Sequence, residues 1–240
     1  MNARKSVVIT GVTSGIGLAC VHQVVAAGFH VYGLARRHDL LQKLAETYPQ
    51  QFTPFTCDLA NRGQLQEAVE MIRNQPDELV ALVNNAGLMK IADTHTMPMA
   101  DVDQEIEVLF RAPYFLTREL LPKMITQKSG IIINMTSVAG MRPSAKMTAY
   151  AAMKAALMHF TQSIAAEYAD RGIRAVSISP GIVETDLMNK VLMAMIARKI
   201  PLKRLSKPEE IAKVVVTLLG ETGSYATGSN WVLDGGLALT

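Results

Sequence analysis

Ser137, Tyr150 and Lys154 are the residues of this chain most able to do chemistry together, the last two within Tyr-Ala-Ala-Met-Lys. A helix turns about 100° per residue, so positions four apart share a face. The Lys154 ammonium is then expected to reach back toward the Tyr150 phenol. A nearby cation stabilises phenolate and lowers a tyrosine from its usual pKa of ~10. A phenol tuned in this way passes a proton to or from a carbonyl or alcohol oxygen. Tyrosine and lysine at this spacing, taken alone, also describe an ordinary solvated helix face. The weight comes from the segments around them.

The first such segment positions an anion. Val7-Val8-Ile9-Thr10 is a short apolar run that reads as a buried strand. Thr10-Gly11-Val12-Thr13-Ser14-Gly15-Ile16-Gly17 follows, and then a helical apolar pattern through Ala19, Val21, Val24 and Val25 that stops at Gly28. A strand, a glycine-rich turn and a helix start together make a pyrophosphate site. The glycines admit the phosphate close to the backbone, and the helix start offers free N–H groups and a favourable dipole. The spacing is G-x-x-x-G-x-G, and three glycines can also be a plain turn.

Further segments lie in one order along the chain. Asp58 stands in Thr-Cys-Asp-Leu after a third strand, and Asn84-Asn85-Ala86-Gly87 ends the apolar run 79–83. Ile131-Ile132-Ile133-Asn134-Met135-Thr136 leads into Ser137. Pro180-Gly181-Ile182-Val183-Glu184-Thr185 follows a sixth strand, and Asp234-Gly235-Gly236 closes a seventh. Read together, from Val7 to Gly236, the chain resembles the classical short-chain dehydrogenase/reductase family.

The resemblance implies a role for each matching residue. Gly11, Thr13, Ser14, Gly15, Ile16 and Gly17 form the cofactor-phosphate turn. Asp58 and Leu59 contact adenine, and Asn85, Ala86 and Gly87 lie beside the cofactor ribose. Tyr150 is the acid/base and Ser137 holds the substrate oxygen. Lys154 binds the nicotinamide ribose and tunes the tyrosine. Pro180, Gly181, Val183 and Thr185 hold the nicotinamide carboxamide. The blander readings are a helix cap for Asp58, a turn for Asn84 and Asn85, and a loop hydroxyl for Ser137.

One position departs from the family pattern. The resemblance implies an asparagine in the long helix before the Ser137 segment, at a distortion whose exposed carbonyl holds a water in a proton relay to the lysine. That position is Leu109, and no asparagine occurs between Asn85 and Asn134. Pro113 stands four residues later and lacks the N–H that would bond the Leu109 carbonyl. Two readings follow: Pro113 frees that carbonyl and preserves the water site, or it only kinks the helix and the relay is lost.

The second strand runs Val31-Tyr32-Gly33-Leu34-Ala35-Arg36-Arg37. Members of the family that use NAD place an acid at its end, on the ribose hydroxyls. Ala35 occupies that place here. Arg36 and then Arg37 can meet a 2′-phosphate through bidentate charge-assisted bonds. NADP(H) is therefore expected, ahead of NAD(H), with Arg36 as the stronger candidate. Asp39 reads as a cap for the next helix.

Composition bounds the rest. The 240 residues suffice for one α/β domain with a large core, and 49% hydrophobic against 19% charged residues argues against disorder. A net charge of +3 is too mild for a nucleic-acid binder. Cys20 and Cys57 read as buried free thiols of a reducing compartment. No apolar stretch reaches membrane length and no signal-peptide core precedes the first strand, so no membrane association and a cytoplasmic location are expected. His22, His30, His38, His95 and His159 show no metal-site spacing, and no metal is expected.

Strands are predicted near 6–10, 30–35, 53–57, 79–84, 130–136, 174–179 and 230–234. Helices are predicted near 15–27, 39–47, 61–74, 101–126, 148–170 and 208–219. Their alternation gives the expected fold class: α/β, a single doubly wound Rossmann-type domain over 1–240, with a seven-stranded parallel sheet and helices on both faces. Ligands bind outside the carboxyl ends of such strands, where the motifs fall. The segment 185–207 is expected to be a substrate lid. Eight of the fourteen methionines (Met89, Met97, Met99, Met141, Met147, Met188, Met193 and Met195) fall around the expected substrate mouth. They suggest a plastic, largely apolar pocket, although core filling is the competing reading.

The leading functional reading is an NADP(H)-dependent oxidoreductase interconverting a ketone and a secondary alcohol, a carbonyl reductase by direction. An enzymatic alternative is a 3-oxoacyl-carrier-protein reductase. It is suggested by the segment 200–212 and by Lys128 and Arg171, cations where an acidic carrier could dock. A non-enzymatic alternative is a catalytically weak NADP-binding sensor or structural protein, with Leu109 as its best support. The resemblance also implies a homotetramer or homodimer built on the two long helices and the region 228–240.

Overall fold

The computed structural model describes residues 4–184 and 195–239. Seven strands, β1 (Lys5–Thr10), β2 (His30–Ala35), β3 (Phe52–Thr56), β4 (Glu78–Asn84), β5 (Gly130–Met135), β6 (Ile173–Pro180) and β7 (Asn230–Leu233), form one sheet. Its order is β3-β2-β1-β4-β5-β6-β7 and every pairing is parallel. A parallel sheet is covered on both faces, which is why β1, β2, β5 and β6 read as nearly continuous apolar runs. The strand order reverses direction at β1 and β4. The crevice for a ligand therefore opens at their carboxyl ends.

Among the described residues the helices of two turns or more are α1 (Gly15–Ala26), α2 (His38–Thr47), α3 (Arg62–Arg73), α4 (Met99–Ile106), α5 (Ala112–Gln127), α6 (Thr148–Tyr168) and α7 (Pro208–Leu219). Alternating strand residues feed two cores. Val7, Ile9, Ala81 and Val83 pack with Val21 and Val24 of α1, Leu41 of α2 and Val215 of α7. Val8 and Leu82 pack with Val69 of α3, Leu116 and Leu120 of α5 and Ile164 of α6. Cys20 and Cys57 are buried and unpaired, and burial pushes both thiols up to about 12.

The helix predicted over 101–126 is interrupted. A π-helical turn at Glu107–Arg111 separates α4 from α5, with the Ala112 N–H donating to the Glu107 carbonyl five residues back. Pro113 sits in the first turn of α5. Its missing N–H makes a regular four-residue bond to the Leu109 carbonyl impossible, and the wider turn falls where that bond is lost. Asp39 is a second correction. It lies within the first turn of α2, with Arg37 at the cap position. By contrast Asn61 does cap α3, its Oδ1 accepting from Gly63 N–H and Gln64 N–H at 3.1 and 3.2 Å.

Among the described residues no helix is long and apolar enough to cross a membrane, and no cluster of histidine, cysteine or carboxylate side chains could hold a metal ion.

Candidate active site

The glycine turn is closed by close backbone approach. Gly11 has φ +74°, and a Cβ there would lie 2.8 Å from the Ala86 Cα. A Cβ at Gly17 would lie 2.1 Å from the Gly11 carbonyl oxygen. Side chains at either place would force apart the two strand ends that form the crevice. Thr10 ties them together: its Oγ1 accepts from the Asn85 and Ala86 N–H groups, each at 3.0 Å, and Asn85 Nδ2 donates to the Thr10 carbonyl at 2.9 Å. Ser14 takes the cap position of α1 without making a side-chain cap bond, so the first-turn amides keep their capacity for an anion. This bare cradle fits a dinucleotide pyrophosphate.

The end of β2 lies beside this turn. The Arg37 guanidinium donates to Thr13 Oγ1 at 2.8 and 3.1 Å and to Ser14 Oγ at 2.9 Å. Arg36 is also exposed, and these contacts with the phosphate turn are those of Arg37. Cys57 N–H donates to the Ala35 carbonyl at 2.9 Å, which brings Asp58 and Leu59 next to the strand end. Asp58 Oδ1 accepts from Ala60 N–H at 3.0 Å.

Ser137 and Tyr150 meet across the β5–α6 connection. Ser137 Oγ accepts from Ala139 N–H at 3.1 Å, and its hydroxyl lies near enough to the Tyr150 phenol to draw that phenol's pKa down. Gly140 lets the intervening turn, Val138–Gly140, rest on α6, since a Cβ there would come within 2.8 Å of Lys154 C and Ala155 N. α6 is fixed to the sheet by a buried chain: Asn84 Nδ2 donates to Asn134 Oδ1 at 2.7 Å, and Asn134 Nδ2 donates to Thr161 Oγ1 at 2.8 Å. Tyr150 and Lys154 thus share one helix face above the strand ends.

The electrostatics differ from the expectation for Tyr150. Burial raises the phenol above its usual value, the nearby Ser137 hydroxyl draws it back, and the Glu105 carboxylate raises it again. The ammonium lies 5.7 Å from the Tyr150 ring centroid and donates to the Met135 carbonyl at 2.6 Å. Burial also depresses Lys154 to about 8, which weakens its hold on the charge a phenolate would need. Leu109 is fully buried, and its Cδ2 lies 3.6 Å from the position a Cβ on Gly87 would take, against 4.0 Å for Lys154 Nζ.

Pro180 ends β6, and Gly181 N–H donates to the Leu233 carbonyl at 2.9 Å. Val183 pairs with Ser206, and Glu184 N–H donates to the Ser206 carbonyl at 2.9 Å. Thr185, Met188 and Met193, and the lid residues 185–194, lie outside the described residues. Of the other methionines around the mouth, Met89, Met99, Met141 and Met195 are exposed rather than packed in the core.

A dinucleotide crevice with a hydroxyl, a phenol and an ammonium above it defines a nicotinamide-dependent oxidoreductase of the Rossmann type. Residues 5–195 match the family described as short chain dehydrogenase. The chain belongs to the short-chain dehydrogenase/reductase family. It is 34% identical to the 3-oxoacyl-[acyl-carrier-protein] reductase FabG of Thermotoga maritima, over 98% of each chain. Among solved structures it resembles 4-hydroxyisoleucine dehydrogenase complexed with NADH, at TM-score 0.92 and 30% identity, covering 99% of this chain and 100% of that one. It also resembles a candidate NAD(P)-dependent gluconate 5-dehydrogenase from Beutenbergia cavernae with bound NADP. That likeness has TM-score 0.90 and 27% identity, over 99% and 98% of the two chains.

One residue of this site was not singled out from sequence. Glu105, on α4, is 1% exposed. Its neighbours Asp101, Asp103 and Glu107 give the segment the look of a solvated acidic face, and only the packing of α4 on α6 reveals which acid turns inward.

Proposed function

We propose that the chain is an NADP(H)-dependent oxidoreductase that interconverts a ketone and a secondary alcohol, with reduction as its working direction. The observation that carries this reading is Tyr150 and Lys154 on one face of α6, the ammonium 5.7 Å from the phenol ring, with the Ser137 hydroxyl beside the same phenol. A bound nicotinamide supplies or accepts the hydride. Tyr150 is the acid/base: its raised pKa keeps it a proton donor at neutral pH, as carbonyl reduction requires. Ser137 orients the reacting oxygen, accepting or donating as the oxygen changes between carbonyl and alcohol. Lys154, buried and depressed to about 8, can hold the ribose and pass a proton toward Tyr150. The amides of Ser14 to Gly17 would hold the pyrophosphate. Asp58 and Leu59 would hold the adenine; Asn85, Ala86 and Gly87 the ribose region; and Pro180, Gly181, Val183 and Thr185 the carboxamide.

NADP(H) is favoured over NAD(H) by Arg36 and Arg37 and by the buried Ala35 where an acid would bind ribose hydroxyls. The Arg37 contacts with Thr13 and Ser14 pre-form a cationic, hydroxyl-lined place for a 2′-phosphate. The π turn before Pro113 supports the reading in which the Leu109 carbonyl takes over the water-holding role.

A second reading, 3-oxoacyl-carrier-protein reductase, is favoured by the relationship to the Thermotoga reductase. Lys128 and Arg171 are exposed and could meet an acidic carrier. The chain is further proposed to be a single domain in the cytoplasm and to assemble as a homodimer or homotetramer. Tyr114, 49% exposed on a cluster with Phe110 and Phe160, supports association through the long helices.

The test is NADPH oxidation across a panel of simple ketones, β-ketoesters and acetoacetyl thioesters, with wild type and Tyr150→Phe. Turnover lost in the variant with NADPH binding retained is expected. Tight NADPH binding without oxidation of any panel member would instead favour a sensor. A thioester preference that grows on carrier attachment would favour the second reading.

A further inference from the structure

Two carboxylates are buried among the described residues, Asp77 and Glu105. Asp77 is met by Arg4 and Tyr32. Glu105 has a single partner: its Oε1 accepts from the Lys90 N–H at 2.7 Å, and its Oε2 is buried with no hydrogen-bond partner among the described residues. One backbone N–H is poor compensation for a carboxylate removed from water. A sequence that folds at such cost keeps the group for its local effect.

The place of Glu105 identifies that effect. The loop after Gly87 bridges α4 and the start of α6. It is pinned by Lys90 on Glu105, by the Ala92 N–H on the Lys146 carbonyl at 3.0 Å, and by the hydroxyls of Thr94 and Thr148, 3.1 Å apart. Tyr150 stands in the first turn of the helix that receives the far end of this loop. We propose that Glu105 is a positioning residue of this site, a buried carboxylate that fixes the loop behind Gly87 through the Lys90 amide and places a negative charge beside Tyr150.

Among the described residues no ion pair joins Glu105 to a cation. On its own helix and the π turn stand Asp101, Asp103, Glu107 and Arg111. The Lys90 ammonium is paired with Asp101 at 2.9 Å and Arg111 with Glu107. From the loop and the start of α6, Lys146 faces Asp93 at 3.8 Å. Lys154, on α6 with Tyr150, bonds the Met135 carbonyl. The Glu105 carboxylate acts on Tyr150 in the same sense as the burial that chiefly raises it. In carbonyl reduction this keeps the phenol protonated to higher pH. The inference rests on Tyr150 as the proton donor, but its test does not need turnover.

The test uses the full chain labelled with 13C at tyrosine Cζ, titrated by NMR with and without NADP+. The Tyr150 resonance is assigned by its loss in Tyr150→Phe. In Glu105→Gln, which keeps an oxygen for the Lys90 amide and removes the charge, the Tyr150 midpoint is expected at lower pH than in wild type. An unchanged midpoint overturns the electrostatic role. Hydrogen exchange at the Lys90 amide is expected to stay slow in Glu105→Gln and to accelerate in Glu105→Ala. Equal protection in Glu105→Ala and wild type overturns the positioning role. Should Glu105→Ala fail to fold, the Glu105→Gln titration alone decides. Absence of the proposed activity in wild type, with a shifted midpoint in Glu105→Gln, would sink the functional reading and leave this one standing.

Discussion

The two ends of the central sheet treat buried charge in opposite ways. At the amino ends, Asp77 accepts from Arg4 Nε at 3.0 Å and from the Tyr32 hydroxyl. His30 is held at both ring nitrogens, by the Gln50 carbonyl at 3.2 Å and Thr53 Oγ1 at 2.8 Å. At the carboxyl ends, Lys154 has a carbonyl for a partner, Glu105 has one amide, and Tyr150 is raised mainly by burial. Matched polar groups hold a fold in one state. Unmatched ones store a readiness to gain or lose a proton. The first end is built for stability and the second for chemistry, and mutations at the two should separate stability from turnover.

The largest separation is expected from Tyr150→Phe. Removing the acid/base should lower kcat/KM by roughly 10²–10⁴-fold with little change in melting temperature. A comparable loss of both would merge the two ends into one structural unit.

Lys154→Met should alter how stability depends on pH. The lysine is buried, with its folded pKa about 8 against an ordinary lysine value of 10.5. Between those values the unfolded chain binds more protons than the folded one, so this group makes stability rise with pH across that window. Wild type should gain on the variant by on the order of 3 kcal/mol from pH 8 to 10.5, read from urea unfolding at each pH. Parallel curves would mean that the lysine is not held out of water.

At the other end, Asp77→Asn should cost roughly 1–3 kcal/mol, discounted because Arg4 is 48% exposed, and should leave kcat unchanged. Loss of turnover without loss of stability would reverse the assignment. The smallest effect is expected at Arg37→Ala: about a tenfold rise in the KM for NADPH with little change for NADH, checked by initial rates with each cofactor. Equal changes for both would assign Arg37 to the turn rather than to the 2′-phosphate.

Much of this was legible in the residues. Apolar runs bounded by glycine and asparagine marked all seven strands to within a residue or two, because a strand buried on both faces admits little else. The crevice was legible too, since close backbone approach at Gly11 and Gly17 demands glycine. What escaped depends on tertiary enclosure. The direction of the Tyr150 shift followed from burial and from where the Lys154 ammonium lands, and four-residue spacing encodes neither. The inward turn of Glu105 was hidden among three solvated acids. Proline chemistry announced a disturbance at Leu109, but its form as a π turn, packed on α6, is set by tertiary structure. That Arg37 reaches Thr13 and Ser14 follows from the backbone at the end of β2, which residue order does not encode.

The central claim is that one hydroxyl and one phenol converge on a single reacting oxygen. A crystal structure of the chain with NADP+ and an alcohol product from the ketone panel tests it most directly. The account predicts the alcohol oxygen within hydrogen-bonding distance of both Ser137 Oγ and Tyr150 Oη, with its carbon facing the nicotinamide. An alcohol seated over the nicotinamide with its oxygen bonded to other groups, and Tyr150 turned away, would contradict it.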